Sequence, residues 1–437
     1  MHPNKTVIFA GPTISRSDIT AHLPWAELRP PAGRGDIFAE SWSTGDKAII
    51  VDGYFRDQLS VGHKEILWLI EQGVETIGCA SIGALRACEL SEFGMIGVGS
   101  VFEMYANQEI DGDDEVAILH GPEELDFCAL SVAMVNLRYG CERAISAGLM
   151  SPSAAEGITT IVKEMPFFER TWERLCQDGD LVKYHDELQL LEENIGLGRW
   201  NLKLLDAVSA LTAAAEEGEA LEGIGTNEIQ LTRLTRHEEV FWRSRRKNPS
   251  GRWETDFDVL DAARLFDPDY PALHHKALAA MLREAAGKGQ ETSNLLGVKS
   301  TKDLPAELHD WFTEKELGSL SHEDLCLLIL VRAWPIWHRC DWRSEMVNQM
   351  RGTDRWSDWQ NILSKADEAT NSDPIKVPPP QICASLFLRH WRNLDSTPKI
   401  EHARRGFHSL EELGRAAQRF FALDVKSGKN PRGDGQI

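Results

Sequence analysis

The chain has 437 residues, 42% of them hydrophobic and 26% charged, with a formal net charge of −21. That length is more than one compact core usually takes, so two domains are expected. The negative charge argues against a general nucleic-acid or anionic-membrane surface, because phosphates would be repelled. No apolar run reaches the roughly 20 residues that span a bilayer. The start, Met1 to Val7, lacks the basic and apolar segments of a secretory signal, so a cytoplasmic protein is expected.

In chain order, Thr6–Ala10, Ala48–Val51, Val74–Cys79 and Val116–Leu119 are short runs rich in Val and Ile. Continuous apolar runs of this length suit strands buried on both faces of a parallel sheet. Between them, Ser17–Leu23, His63–Gln72 and Ser81–Leu90 read as helices. Alternating strand and helix predicts an α/β fold: an open, mostly parallel sheet flanked by helices. From Leu125 the pattern turns helical, with helices expected at Phe127–Ala147, Ser153–Glu164, Leu181–Asn194 and Asn201–Ala215. The first domain is expected over residues 1–217, ending at the Glu- and Gly-rich stretch Glu216–Thr226.

Residues 227–423 form a second, mostly α-helical domain in this reading, for docking or oligomerisation. It holds most of the 14 tryptophans, with Trp311, Trp334, Trp337, Trp342, Trp356 and Trp359 clustered. Large rings at this density suit a small helical core, with an aromatic binding surface as the alternative. Val377–Pro380 reads as a rigid connector, and residues 424–437 as a disordered tail. The eight cysteines show no CxxC pair, which suits buried free thiols in a reducing compartment and gives no zinc site. Cys128 and Cys326 each stand in an apolar helical pattern in this reading.

In an open α/β sheet, ligands bind beyond the carboxyl ends of the strands. Three expected strands run into Gly11–Pro12–Thr13, Asp52–Gly53–Tyr54 and Cys79–Ala80–Ser81. The third exit continues Ser81–Ile82–Gly83–Ala84, placing a serine at a strand-to-helix turn. There the helix dipole and the amides of Ile82 and Gly83 favour negative charge on oxygen. The segment departs from a GxSxG elbow at Cys79, and Ser81 can equally be a plain helix N-cap. His63, on the first turn of its helix, is the candidate base, and Asp52 is placed to orient that imidazole or to contact substrate. Helix-terminal hydrogen bonding and turn formation are the respective alternatives. Lys64 offers a positive charge to an anionic sulfur or phosphate, or points to solvent. Arg86 either ties its helix down, pairing with Glu89, or reaches an anionic ligand. The acidic run Asp111–Glu115 lacks EF-hand spacing. Whether its acids or His120 face the cleft depends on the direction of the fourth strand. Cys79 is a further candidate as a persulfide carrier, though its place before the turn suggests burial.

Several segments together resemble the TfuA family. They are Val7–Thr13, Pro30–Ala32 with Gly35–Ile37, Ile50–Phe55, Ser60–Leu67, Ser81–Ala87, Phe93–Gly99 and Asp113–Ala117, in matching order and spacing. The likeness covers about the first 120 residues, extends more loosely to about residue 215, and stops there. It implies an accessory role beside a YcaO-type enzyme in ribosomal peptide natural product biosynthesis. Such enzymes use ATP and magnesium to activate a backbone amide for thioamidation, so no cofactor is expected in this chain. The resemblance further implies release of sulfide from a thiocarboxylated, ThiS-like ubiquitin-like carrier. The precursor peptide would be met through the YcaO enzyme. It raises the weight on Ser81 as nucleophile, with His63 and Asp52 beside it and Gly11, Thr13, Gly53, Lys64, Ile82 and Arg86 as substrate contacts. A non-catalytic scaffold or allosteric activator of the YcaO partner is the alternative.

Overall fold

The computed structural model describes residues 4–55, 58–215, 225–287, 306–333, 342–372, 377–391 and 396–424. Most of the Glu216–Thr226 stretch, Trp334, Trp337, Cys340 and the expected tail beyond Asp424 lie outside the described residues. The chain divides into two compact units, Met1–Leu231 and Thr232–Ile437.

The first unit is built on five parallel strands: β1 (Thr6–Phe9), β2 (Glu27–Arg29), β3 (Lys47–Ile50), β4 (Glu75–Cys79) and β5 (Ile96–Val98), in the order β2-β1-β3-β4-β5. Every residue of β1 is buried, as are the last three of β3 and the last four of β4. The unbroken apolar runs follow from this burial on both sheet faces. Helices α1 (Arg16–His22), α2 (Asp36–Ala39), α3 (His63–Glu71), α4 (Ile82–Leu90) and α5 (Ser100–Ala106) alternate with the strands. One sheet face buries Ile8, Ile49, Ile77 and Cys79 with Ile19 of α1. Against the same cluster pack Ala207, Ala210 and Leu211 from a later helix. On α3, Trp68 meets Phe38 of α2 edge to face, 5.1 Å between ring centres.

Two glycines let α4 lie directly on the sheet. A Cβ on Gly83 would stand 1.8 Å from the Ile50 carbonyl oxygen, and one on Gly78 would stand 2.1 Å from the Gly83 carbonyl oxygen. Helix α4 therefore begins in backbone contact with β3 and β4, which brings the ends of those two strands together under its first turn.

The rest of the unit is helical: α6 (Met134–Ser146), α7 (Pro152–Lys163), α8 (Trp172–Gln177), α9 (His185–Gly196) and α10 (Leu202–Ala215). Helices α6 to α9 share a core around Leu137, Ile158, Leu175, Leu188 and Leu191.

Three expectations are corrected here. Val116–Leu119 is not a strand; it follows a single 3-10 turn at Asp113–Glu115 and runs as irregular chain, with Val116 and Ala117 buried. A short apolar run is ambiguous by periodicity alone, and this one is buried against α5 and α6 rather than paired in the sheet. The helix expected from Phe127 begins only at Met134, since Asp126 and Phe127 take left-handed φ values of 49° and 51° that stop a helix from forming there. Cys128 consequently lies outside any helix and is exposed. Strands β2 and β5 escaped the sequence reading, each being three residues long and without a run of β-branched residues.

The second unit is mostly helical, with one two-stranded antiparallel hairpin pairing Arg246–Lys247 with Trp253–Glu254. Its main helices include Arg233–Ser244, Asp256–Phe266, Tyr270–Ala286, His322–Ala333, Asp354–Ser372, Pro380–Trp391 and Leu410–Gln418. Trp342, Trp356 and Trp359 are buried in one core with Leu260, Leu278, Phe387 and Phe407, and Trp311 packs against it. Cys326, on the helix His322–Ala333, is buried as well. Within that core Arg264 is fully buried, donating to the carbonyls of Arg405 and Gly406 and to Asp261 and Glu412. Among the described residues no helix is long and apolar enough to cross a membrane.

Candidate functional site

Strand β4 ends in a tight turn. The Ser81 amide donates back to the Cys79 carbonyl at 2.7 Å, and Ala80 between them has a φ of 64°. A left-handed alanine costs on the order of 1–3 kcal/mol, so the surrounding packing holds this turn under strain. The turn presents Ser81 at the start of α4 with its hydroxyl making no capping bond to the helix. Ser81 is 8% exposed and lines a small cleft with Pro12, Asp52, Gly53, Phe55, Ile82, Asp113, Val116, Ala117, Ile118, His120 and Lys203.

The amides at the helix start differ in their commitments. Gly83 N–H donates to the Val51 carbonyl at 3.3 Å, so it does not serve an oxyanion as expected. The amides of Ile82 and Gly53 donate to no group among the described residues, and both residues line the cleft. Gly53 is pressed against this helix start, since a Cβ there would meet the Ile82 side chain at 2.5 Å. Unpaired N–H groups on residues that share a cleft with a serine are candidate oxyanion donors.

Asp52 is buried and firmly held. It accepts from the amides of Gly11 at 2.9 Å and Thr13 at 3.0 Å, and from the Thr13 hydroxyl at 2.5 Å. Gly11 and Thr13 thus anchor the carboxylate, and of that loop it is Pro12 that reaches the cleft wall.

Lys203 is the residue the sequence reading missed. It stands on the first turn of α10, 2% exposed, and its Nζ donates to the Val116 carbonyl at 2.9 Å. Its Nζ is 4.0 Å from Asp52 Oδ1. Burial lowers its pKa from the usual lysine value, and the Asp52 charge opposes that only in part. The start of α10 is fixed by Asn136, which accepts from the Lys203 amide at 3.0 Å and donates to Asn201 at 2.9 Å. A signal was present in the sequence: Lys203 and Asp206 fall on the same helical stripe as Ala207, Ala210 and Leu211, an apolar face where charge is out of place.

Three expected site residues are elsewhere. His63 has a half-exposed side chain, and its Nε2 lies 2.8 Å from Glu89 Oε2. It faces the outer side of α3 and α4 and does not line the cleft. Lys64 is exposed and donates to the Gln230 carbonyl. Arg86 pairs with Glu89 at 2.6 Å and donates to the Val61 carbonyl at 3.1 Å, tying α4 to the loop before α3. The physical reason is helical phase. Ile66 and Leu69 turn inward to the sheet, and the first turn of α3 carries His63 and Lys64 to solvent. The Cys79 thiol is fully buried, and burial raises its pKa well above the ordinary value, which disfavours the thiolate a sulfur carrier needs.

The acidic run is mostly structural. Arg170 and Lys163 hold Asp114 at 2.7 Å each, and Arg138 and Lys163 hold Glu115. With those anchors the segment crosses the cleft, so that Asp113 and His120 both line it. The question of a fourth strand's direction does not arise, because the segment is not in the sheet.

Residues 52–171 match the family model for TfuA-like protein. Over this segment the chain is similar to the TfuA-like family. The TfuA-like match contains Asp52, Gly53, Ser81, Ile82, Asp113 and His120, and lies wholly within the first unit. Lys203, which completes the cleft, lies beyond its C-terminal end, and so does all of the second unit. No curated protein matches the chain.

Proposed function

We propose that this TfuA-like protein is the sulfide-releasing partner of a YcaO-type enzyme, hydrolysing the C-terminal thiocarboxylate of a small ubiquitin-like carrier. The family match supports the coarser part, a role in YcaO-associated thioamide formation. The observation that carries the finer part is the joint lining of one cleft by an uncapped serine and a buried lysine of lowered pKa. A neutral lysine is a competent general base for a serine hydroxyl, and desolvation supplies the neutral form.

In this reading Lys203 takes the proton as Ser81 Oγ attacks the thiocarboxylate carbon. The amides of Ile82 and Gly53 receive the developing oxyanion, each such donor being worth roughly 3 kcal/mol. Sulfide leaves, an acyl-serine remains, and water resolves it to the carboxylate. Asp52, held by Gly11 and Thr13, keeps Lys203 in place. His63 has no part in the reaction.

The test is to incubate the purified protein with a thiocarboxylated carrier in the absence of any YcaO enzyme and to follow sulfide. Release that disappears in Ser81→Ala and Lys203→Met supports hydrolysis. Release that needs the YcaO enzyme and survives Ser81→Ala assigns a scaffold role instead.

A further inference from the structure

His120 is the one imidazole in the cleft lining, and the reaction just described leaves it without a task. Its Nδ1 lies 2.7 Å from the Gly121 carbonyl oxygen. A carbonyl oxygen only accepts, so Nδ1 carries a proton in both charge states of the ring. The ring's second nitrogen, Nε2, is the one whose proton comes and goes, as donor when the ring is charged and acceptor when it is neutral. Its orientation is set by neighbours: Tyr54 is 6.3 Å away between ring centres, and Phe127 meets it edge to face at 5.8 Å. The backbone is held as well, by a bridge between His120 and Ala129.

A thiocarboxylate poses a problem that an ordinary ester does not. It is anionic at neutral pH, so addition of the serine oxygen creates a second negative charge beside the first. The carbon–sulfur bond breaks readily only if the sulfur gains a proton as it leaves. Lys203 cannot supply that proton, because it enters the step neutral in order to accept one. The cleft needs a second proton carrier, and among the described residues lining it the groups that titrate are Asp52, Asp113, His120 and Lys203. Asp52 is occupied with three donors, and Asp113 is exposed at the rim.

Building on the hydrolase reading, we infer that His120, as the imidazolium, donates its Nε2 proton to the departing sulfur. In the first half-reaction Ser81 Oγ bonds to the carbonyl carbon, its proton passes to Lys203 Nζ, the carbon–sulfur bond breaks and the sulfur leaves as hydrosulfide with the proton from His120. In the second, water adds to the acyl-serine, its proton returning to His120, while Lys203 returns its proton to Ser81 Oγ. One thiocarboxylate and one water become one carboxylic acid and one hydrosulfide. No oxidant or reductant enters.

The charged groups that bear on the ring are Asp52 and Lys203 across the cleft, Asp113 on the same segment, the Tyr54 phenol beside it, and Glu123, whose charge is felt at Tyr54. The Nε2 proton serves the departing sulfur; acylation by an ester whose leaving group departs as a stable anion needs no such proton.

The experiment compares two substrates, the thiocarboxylated carrier and 4-nitrophenyl acetate, with the full chain. In His120→Gln, sulfide release is expected to drop about 100-fold or more, with the first-turnover burst of nitrophenolate, which reports acylation of Ser81 alone, retained within about threefold as the measure of an intact site. His120→Gln or His120→Asn losing sulfide release and the nitrophenolate burst equally, or losing neither, overturns the inference. Retention of sulfide release in Ser81→Ala is a different result, and it removes the hydrolase reading itself.

Discussion

Lys203 Nζ and Asp52 Oδ1 stand 4.0 Å apart with both side chains about 3% exposed, at positions 151 residues apart in sequence. At that separation the carboxylate favours the lysine's charge, while desolvation opposes it more strongly. The carboxylate also has three donors of its own from the Gly11–Thr13 loop, so it is not free to draw the ammonium closer. The balance leaves a lysine that can accept a proton below the usual lysine range.

Lys203→Met should therefore remove the base while keeping the volume of the side chain. Sulfide release from a thiocarboxylated carrier is expected to fall by on the order of 100- to 10,000-fold, and the thermal midpoint is expected to fall as well, since Asp52 loses its neighbouring cation and the Val116 carbonyl its donor; the rate is therefore read well below the variant's melting temperature. If Lys203 is the base as proposed, the acidic limb of the wild-type rate profile is expected to report it, activity rising as it deprotonates. That limb should lie below the ordinary lysine value of 10.5.

His63→Ala is the contrasting variant. The ring is half exposed and paired to Glu89 at the surface, and such pairs contribute at most about 1 kcal/mol. Sulfide release is expected to stay within about threefold of wild type, because a surface pair of that size can shift a rate by little more. A loss comparable to that of Ser81→Ala would return His63 to the mechanism.

Glu65 offers a pH test of the fold alone. Buried almost completely, it accepts from Gly62 N–H at 2.6 Å and Gly35 N–H at 2.9 Å, joining the start of α3 to the loop before α2. Desolvation raises its pKa from 4.5 to about 7, against the two amides and Arg34. For a carboxyl raised on folding, the stabilising contribution is fully present below the unfolded pKa and is lost as pH rises through the folded one. Stability should thus decline between about pH 4.5 and pH 7 from this group, by roughly 3 kcal/mol at most. Glu65→Gln is expected to be less stable at low pH, having lost one amide partner, but with a flatter dependence over that interval. Thermal melts at closely spaced pH values of both proteins check it; parallel curves would contradict it.

Gly83→Ala should be severely destabilising. The added methyl would sit 1.8 Å from the Ile50 carbonyl oxygen, and relief requires α4 to lift from the sheet. A cost of at least about 3 kcal/mol is expected, read as loss of soluble yield or a large fall in melting temperature. Gly179→Ala, with nothing within 4 Å of the new atom, is the control and should change stability by under about 0.5 kcal/mol.

The parallel sheet was legible because its three central strands are buried on both faces. Thr6–Phe9 and Glu75–Cys79 sit within the runs of Val and Ile that marked them, and Lys47–Ile50 overlaps the run Ala48–Val51, shifted by one residue. The edge strands Glu27–Arg29 and Ile96–Val98 were silent, since short and partly exposed pairing needs no such run. Ser81 and Gly53 were readable as strand exits, because a parallel α/β sheet gathers those exits at one end whatever the details.

What the sequence determined by itself was therefore the layer structure and the end of the sheet where a cleft must form. Those depend on local periodicity and on rules of chain connection, both written residue by residue. What the tertiary structure alone decided was which basic residue shares a cleft with Ser81. His63 and Lys203 are both basic residues at a helix start, and spacing along the chain does not separate them. The rotation of α3 turns His63 to solvent, while α10, returning across the sheet from far along the chain, carries Lys203 into the dry interior beside Asp52. Desolvation then lowers that lysine's pKa, and desolvation exists only once the chain has folded around it.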